Sequence, residues 1–187
     1  MNKAMKNALG GMSVALIFVM LLPSTFGPLV YVMPILAGLF MVFLVLELGR
    51  KLTAAIYVSS AILSILILPN KAAAVMYAAF FGYYAIFKSY LESKRLPRAL
   101  EIFIKLVAFN VSMIVFGVVM MKLFGMSYDD LIGIDDIKNA FIVKYALPIT
   151  LLLGNLAFFL LDNTITRFVT LYLNCWQKKV RKILKIK

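Results

Sequence analysis

Polar side chains occur inside the apolar segments of this chain at one predicted depth. Asn110 lies 12 residues before Lys122, and Asn155 lies 11 residues after Lys144. At about 1.5 Å per helical residue, both amides lie about 15–20 Å from the level of those lysines, where an unpartnered amide costs several kcal/mol. Such groups usually face the interior of a bundle, so they form either interhelical hydrogen bonds or the floor of a cavity that opens outward. Two further apolar segments carry small or polar residues at this depth: Ser59, Ser60, Gly82, Tyr83 and Tyr84.

Three residues nearer the predicted outer surface have side chains that suit ligand binding. Lys144 stands just inside the last apolar segment, where either snorkelling or an anionic ligand from outside explains it. Tyr31 and Tyr77 are either interfacial belt residues or walls of the same cavity. A ligand cavity requires these side chains to surround a void, whereas a scaffold requires them to bond to one another. The predicted substrate-binding site comprises Tyr31, Tyr77, Tyr83, Asn110, Lys144 and Asn155.

The sequence contains no constellation typical of catalysis or of metal binding. It has no histidine, which excludes imidazole catalysis and His-ligated metals. Cys175 is its only cysteine, which excludes an intrachain disulfide and a CxxC site. Walker, nucleophile-elbow and HExxH motifs are missing. Glu47 and Asp162 end apolar segments with Arg50 and Arg167 nearby, so interfacial ion pairs explain them. We predict a protein that is not an enzyme and holds no cofactor and no metal.

The composition predicts that membrane helices position these residues. The chain of 187 residues is 64% hydrophobic and 15% charged, with a mean hydropathy of +0.97, against about 45–50% and about 25% in soluble domains. The apolar runs are continuous, which favours helices over β-barrel strands. The first run resembles a signal peptide, but it lacks a small-residue cleavage site and is predicted to be retained. We predict an all-α integral membrane protein with six short transmembrane helices, at 8–22, 29–46, 53–68, 72–87, 106–121 and 142–161.

The distribution of basic residues predicts the orientation. Short loops rich in Lys and Arg stay on the cytoplasmic side of a membrane. The segment 88–105 is such a loop, with five basic residues: Lys88, Lys94, Arg95, Arg98 and Lys105. With six spans, 16 of the 20 basic residues fall on this side, so we predict a multi-pass cell-membrane protein with both termini in the cytoplasm. The acidic outer loop 124–140 lacks the Asp spacing of an EF-hand and is predicted to be a solvated loop.

Beyond residue 161 the pattern changes to that of a basic amphipathic helix. Apolar residues follow helical spacing with Trp176 at their edge, and Lys and Arg take the opposite face. This segment either lies on an anionic inner leaflet or docks a cytoplasmic partner. The chain is accordingly divided into a six-helix membrane domain, 1–161, and a cytoplasmic tail, 162–187.

The first apolar segment carries small residues spaced by four: Ala4, Ala8, Gly11 and Ala15. They form a face of low relief that permits close packing within the bundle or against another protein. With its length, basic charge and six short spans, the chain resembles the substrate-binding S components of energy-coupling factor transporters. The resemblance implies uptake of a vitamin-like small molecule with separate coupling and ATPase subunits. It further implies a partner surface at these four residues and a lid formed by the first outer loop, 23–28.

A similar six-helix shape is found in MreD-type cell-shape proteins, which are non-transporting scaffolds. That second resemblance implies a non-catalytic interaction protein of the membrane. Nucleic acid is not predicted as a partner, because most of the net charge of +12 lies in loops that flank the membrane.

Overall fold

The computed structural model describes residues 3–27, 29–94, 96–125 and 140–177, and the side chains of 3, 4, 140–148 and 150 lie outside this description. Within these residues the chain is all-helical, which confirms the all-α part of the predicted fold class. A 3₁₀ turn, Leu22–Thr25, follows the first helix. The described helices are α1 (Lys3–Leu21), α2 (Leu29–Leu48), α3 (Arg50–Ile67), α4 (71–93), α5 (Arg98–Phe124) and α6 (Ala140–Leu171).

Two π-helical turns occur in the described residues. In α4 the turn Tyr77–Phe81 separates Lys71–Met76 from Gly82–Ser93. The turn Tyr172–Trp176 directly follows Leu171, the last residue of α6, and extends that helix. The helix therefore continues past the predicted domain division at residue 161 without a break, and the division itself stays a prediction.

Among the described residues, five helical stretches are long and apolar enough to cross a membrane: Met5–Thr25, Leu29–Leu48, Arg50–Ile67, Arg98–Phe124 and Leu151–Trp176. The helix α4 is not one of them, and its π turn divides it into α-helical pieces of 6 and 12 residues. The sixth predicted span, 72–87, the orientation and the insertion into a membrane stay predictions. Leu66 and Leu152, which are 71% and 72% exposed, represent the large apolar side chains on the surface that suit contact with lipid.

The helix α2 is the centre of the packing. It contacts α1, α3, α4 and α6, and its sequence is apolar around most of its circumference, which is typical of a buried helix. Gly38 permits the approach of α4, because a Cβ at this position would lie only 2.9 Å from the carbonyl oxygen of Phe81.

Short connections fix the ends of the helices. Gly49 alone links α2 to α3 with φ +80, a conformation that glycine adopts without steric cost. Asn70 caps α4 by accepting a hydrogen bond from Ala73 N at 3.1 Å. The same side chain donates to Ser24 O at 3.0 Å, which ties the loop between α1 and α2 to the start of α4.

Candidate functional site

Asn110 on α5 and Asn155 on α6 form a reciprocal amide pair. Asn110 Nδ2 donates to Asn155 Oδ1 at 2.9 Å, and Asn155 Nδ2 donates back to Asn110 Oδ1 at 3.4 Å. Each amide also donates within its own helix, to Leu106 O and Leu151 O respectively, at 2.8 Å in both cases. The structure therefore brings these two predicted residues together, and each satisfies the other.

Two tyrosines of the predicted site also have partners within the bundle. Tyr83 OH lies 2.5 Å from Ser112 Oγ on α5, and Tyr77 OH lies 2.8 Å from Ser60 Oγ on α3. The tyrosines are the donors, because Ser112 gives its own proton to Ala108 O and Ser60 gives its proton to Tyr57 O. Each tyrosine thus links two helices.

Of the last two predicted binding residues, one lies on the surface and the side chain of the other is not described. Tyr31 lies near the start of α2 and is 60% exposed. Lys144 lies in the first turns of α6, and its side chain is outside the described part. Four of the six predicted residues therefore form hydrogen bonds between helices. The assignment of all six residues to a ligand stays a prediction.

A cluster of five charged side chains lies where α4 ends and α5 begins, and sequence reasoning missed it. We call it the charge cluster; its members are Lys88, Glu92, Glu101, Lys105 and Asp162. Both lysines are 3% exposed. Asp162 of α6 was expected to pair with Arg167, but its ion pairs are to Lys88 and Lys105.

The geometry of the charge cluster gives each lysine several oxygen partners. Lys88 Nζ bonds Asp162 Oδ1 and lies 3.1 Å from Glu92 Oε1. Lys105 Nζ lies 2.5 Å from Glu101 Oε1, 3.2 Å from Asp162 Oδ2 and 3.4 Å from Glu92 Oε1. Buried charges require such pairing because they have lost their hydration. The cluster therefore binds α4, α5 and α6 to one another.

Neutral groups complete the surroundings of Asp162 and Lys88. Tyr84 OH donates to Asp162 Oδ1 at 2.6 Å, and Lys88 Nζ donates to Thr166 Oγ1 at 2.8 Å. Among the described residues no group of three or more His, Cys, Asp or Glu side chains is placed to hold a metal ion. The carboxylates of the charge cluster instead face the two lysine ammonium groups, which occupy the place where a metal cation would bind.

An aromatic layer separates the charge cluster from the amide pair along α5 and α6. The rings of Phe109 and Phe158 stack at 4.8 Å, and Phe80 meets them edge-on at 5.2 and 5.7 Å. Phe109 stands between Lys105 and Asn110 in sequence, as Phe158 stands between Asn155 and Asp162. The two polar groups are therefore not one continuous polar path.

Two buried hydroxyls near the loop after α1 have no hydrogen-bond partner among the residues that the structure describes. They are Ser24 Oγ in that loop and Ser64 Oγ near the end of α3, and both residues are 0% exposed. Both lie around the connection from α3 to α4, since Asn70 bonds Ser24 O and Leu68 N bonds Ser64 O. A buried hydroxyl without a partner costs about 1–3 kcal/mol. Each of the two hydroxyls is therefore a buried polar group that the described residues leave unsatisfied.

The small-residue face of α1 is turned away from the bundle. Ala8, Gly11 and Ala15 are exposed, and a Cβ at Gly11 would meet nothing within 4 Å. The opposite face is buried, as the side chain of Ile17 shows at 0% exposure. The side chain of Ala4 lies outside the described part. This face is thus free of contacts within the described bundle.

Two apolar grooves run along the surface on either side of Phe40 and Phe43. The α1–α2 groove has a volume of about 670 Å³ and is bordered by Ala15 of the small-residue face. The α2–α6 groove, also of about 670 Å³, lies between α2 and the end of α6. Tyr77, Tyr83, Asn110 and Asn155 line neither groove.

Comparison with known proteins adds no assignment: no family model, no curated protein and no solved structure matches this chain.

Proposed function

We propose that this protein is a non-catalytic membrane subunit that acts by binding another integral membrane protein, as a scaffold does. The observation that carries the proposal is the reciprocal pair of Asn110 and Asn155. These amides are the groups best suited to recognise a small polar ligand, and they satisfy each other across α5 and α6. Tyr77 and Tyr83 are likewise bonded to other helices. Polar side chains used in this way stabilise a bundle.

The partner surface in this proposal is the small-residue face of α1 together with the α1–α2 groove. Ala8, Gly11 and Ala15 allow the backbone of a second helix to approach closely, and the groove beside Ala15 receives its larger side chains. A transmembrane helix of the partner is therefore the occupant that fits this surface. Contact with lipid alone does not require a row of small residues beside a groove.

The experiment is a pull-down from native membranes in mild detergent with the wild-type chain and two variants. Gly11→Leu places a bulky side chain on the proposed surface, where its Cβ has open space. Gly117→Leu on α5 is the matched control, since a Cβ there also meets nothing within 4 Å. We expect wild type and Gly117→Leu to recover the same membrane protein and Gly11→Leu to lose it, with equal thermal stability of all three chains.

Site-specific crosslinking makes the same test without a change in size. A photo-activatable residue at Ala15 should crosslink to the recovered partner, and one at Ile114, which is 65% exposed on α5, should not. Equal recovery with Gly11→Leu, or equal crosslinking at both positions, would refute the assignment of the surface.

The second candidate function is that of a substrate-binding subunit for uptake of a small, vitamin-like molecule. The specific observation in its favour is that two buried hydroxyls, of Ser24 in the loop predicted to be a lid and of Ser64 on α3, have no hydrogen-bond partner among the described residues. The partner would then be a coupling subunit with its ATPases, bound through the same face of α1. The ligand would sit beneath residues 22–27, nearer the predicted outer surface than Asn110 and Asn155.

The two functions separate on what the purified protein carries. Uptake predicts recovery of two ATPase subunits with a coupling subunit, and a small molecule released by denaturation of wild type. Ser64→Ala should lose that molecule, because it removes the hydroxyl and adds no volume. Scaffolding predicts recovery of cell-wall synthesis proteins and no stoichiometric small molecule.

A further inference from the structure

Two basic side chains meet over one tyrosine ring where α4 ends and α3 begins. The guanidinium carbon of Arg50, the first residue of α3, lies 5.8 Å from the ring centroid of Tyr90 on α4. Nζ of Lys94, the residue that follows α4, lies 5.0 Å from the same centroid. Arg50 also donates a hydrogen bond to Ser93 Oγ at 3.1 Å. We call Arg50, Tyr90 and Lys94 the basic clamp, because one ring holds two cations from different helices.

The two cations of the basic clamp have no carboxylate partner among the residues that the structure describes. The nearest acidic residue in sequence, Glu92, is paired with Lys88 and Lys105 of the charge cluster instead. The bond to Ser93 uses one of the five N–H donors of Arg50. Both cations are exposed, and Tyr90 is 49% exposed. The clamp therefore presents positive charge and unused N–H donors at the surface.

The start of α3 adds further positive potential beside the clamp. Gly49 supplies no side-chain cap to this helix, so its first backbone N–H groups have no acceptor within it. The N-terminus of a helix carries a partial positive charge that disfavours nearby cations. Arg50 thus stands at an unfavourable place for a cation and close to a second one. An anion bound between Arg50 and Lys94 would relieve this repulsion.

Apolar side chains are exposed along α3 on the side toward Arg50. Val58 and Ile65 are 52% and 38% exposed, and helical periodicity places both within about 80° of Arg50 around the helix. The stretch Arg50–Ile67 is long and apolar enough to cross a membrane, so Arg50 lies at its very end. Tyrosine is enriched at this level of a membrane, where the headgroups lie. The surface thus combines a site for an anion with an apolar strip below it.

We propose that the basic clamp binds the phosphate of one anionic phospholipid, whose acyl chains lie along the exposed apolar side of α3. Basic residues at the cytoplasmic end of a membrane helix attract anionic lipids, and this is the end that is predicted to be cytoplasmic. An acidic protein segment would satisfy the charges but would leave the apolar strip without a role. The clamp shares no residue with the small-residue face of α1, so the proposal does not depend on partner binding there.

The first test uses the full chain in bilayer nanodiscs made from equal parts of dioleoyl phosphatidylglycerol and dioleoyl phosphatidylcholine. Native mass spectrometry identifies the lipid that stays bound after release from the disc, and we expect one phosphatidylglycerol per wild-type chain. Arg50→Gln and Lys94→Gln should each lower the preference for phosphatidylglycerol about fivefold. Lys51→Gln is the matched control, because it removes the same charge from the next, exposed position of α3 and should keep the preference.

A second variant tests the geometry of the clamp without a change in charge. Tyr90→Leu removes the ring that holds both cations and should lower the preference as a charge variant does. Tyr31→Leu, at a tyrosine that is 60% exposed on α2, is its control and should behave as wild type. Equal melting temperatures are expected for all these chains, since the bond from Arg50 to Ser93 is exposed.

Four results would each overturn the proposal. Wild type would retain both lipids in the ratio of the mixture, Arg50→Gln and Lys51→Gln would lose the preference equally, or Tyr90→Leu would keep full selectivity. The fourth is that polyglutamate binds wild type in discs of phosphatidylcholine alone and fails to bind Arg50→Gln, while Arg50→Gln keeps its preference for phosphatidylglycerol. That result would assign the clamp to an acidic protein segment.

Discussion

Substitution of Lys105 by Met should be among the most destabilising single changes in this bundle. The side chain of Lys105 is 4% exposed and is the common partner of Glu92, Glu101 and Asp162. Its loss leaves Lys88 as the one cation facing three carboxylates in the charge cluster. Removing one partner of a buried ion pair costs about 3–5 kcal/mol, because the remaining charge is left without compensation. Because the Glu92 side chain is 42% exposed and Lys88 still pairs with Asp162, we expect a loss toward the lower end of that range in the free energy of unfolding.

The assay is equilibrium unfolding of the purified protein in mixed micelles with increasing sodium dodecyl sulfate, followed by circular dichroism. Lys122→Met is the control, since Lys122 is exposed near the other end of α5 and should change stability by less than about 0.5 kcal/mol. The double variant Lys105→Met/Glu101→Gln should recover part of the loss, because it removes one of the orphaned negative charges. Equal stability of Lys105→Met and Lys122→Met would refute the account of the charge cluster as a buried, interdependent group.

Two further substitutions test the helix contacts. Asn155→Leu should lower the free energy of unfolding by about 1–3 kcal/mol, because Asn110 keeps its bond to its own helix but loses its partner across the interface. The double variant Asn110→Leu/Asn155→Leu should be closer to wild type in stability. A double variant that is less stable than the sum of the two single effects would contradict the pairing. Gly38→Ala should cost about 1–3 kcal/mol, because the new Cβ would lie 2.9 Å from the carbonyl oxygen of Phe81. Gly117→Ala, with open space around its Cβ, should be neutral or slightly stabilising, and equal melting temperatures of the two alanine variants would disprove the close approach of α2 and α4.

The helices could be predicted from the sequence because each depends on local information. Continuous apolar runs define α1, α2, α3 and α5, and Gly49 and Pro97 mark breaks that the structure places at helix ends. The end of α6 was harder to predict. No Gly or Pro occurs between residues 155 and 177, so the helix continues where a change in hydrophobic pattern suggested a new element.

The partners of the charged residues could not be predicted, because they depend on how helices rotate and tilt against one another. Asp162 has a basic neighbour in sequence, Arg167, yet it pairs with lysines 74 and 57 residues away. A usable signal was present in the spacing. Lys88, Lys105 and Asp162 each lie four residues from a buried aromatic side chain, respectively Tyr84, Phe109 and Phe158. Charged residues on the buried faces of three helices predict that these residues contact one another.

For the amide pair, the common depth of the two residues along their helices could be predicted from the sequence, but their role could not. Counting residues from the lysines places Asn110 and Asn155 at one level, and the structure puts them in contact. Depth alone does not decide between a hydrogen bond to a neighbour and a hydrogen bond to a ligand. That decision depends on the distance between α5 and α6, which is set by side chains such as Phe109 and Phe158 that stack between them.

The π turn Tyr77–Phe81 ties the facing of the two ends of α4 to the number of residues between them. A π turn accommodates one residue more than an α-helical turn, and each residue turns a helix by about 100°. Tyr77 at its start bonds Ser60 on α3, while Lys88 beyond it bonds Asp162 on α6. Deletion of Ala78 would be absorbed by closure of the turn to α-helix, which removes the extra residue and keeps Lys88 facing Asp162. Deletion of Ala85 with the turn kept would instead rotate Lys88 by about 100° away from Asp162, although no side chain of either pair had changed. The number of residues beyond the turn is therefore part of what the charge cluster requires, and the π turn is the place in α4 where one residue can be lost.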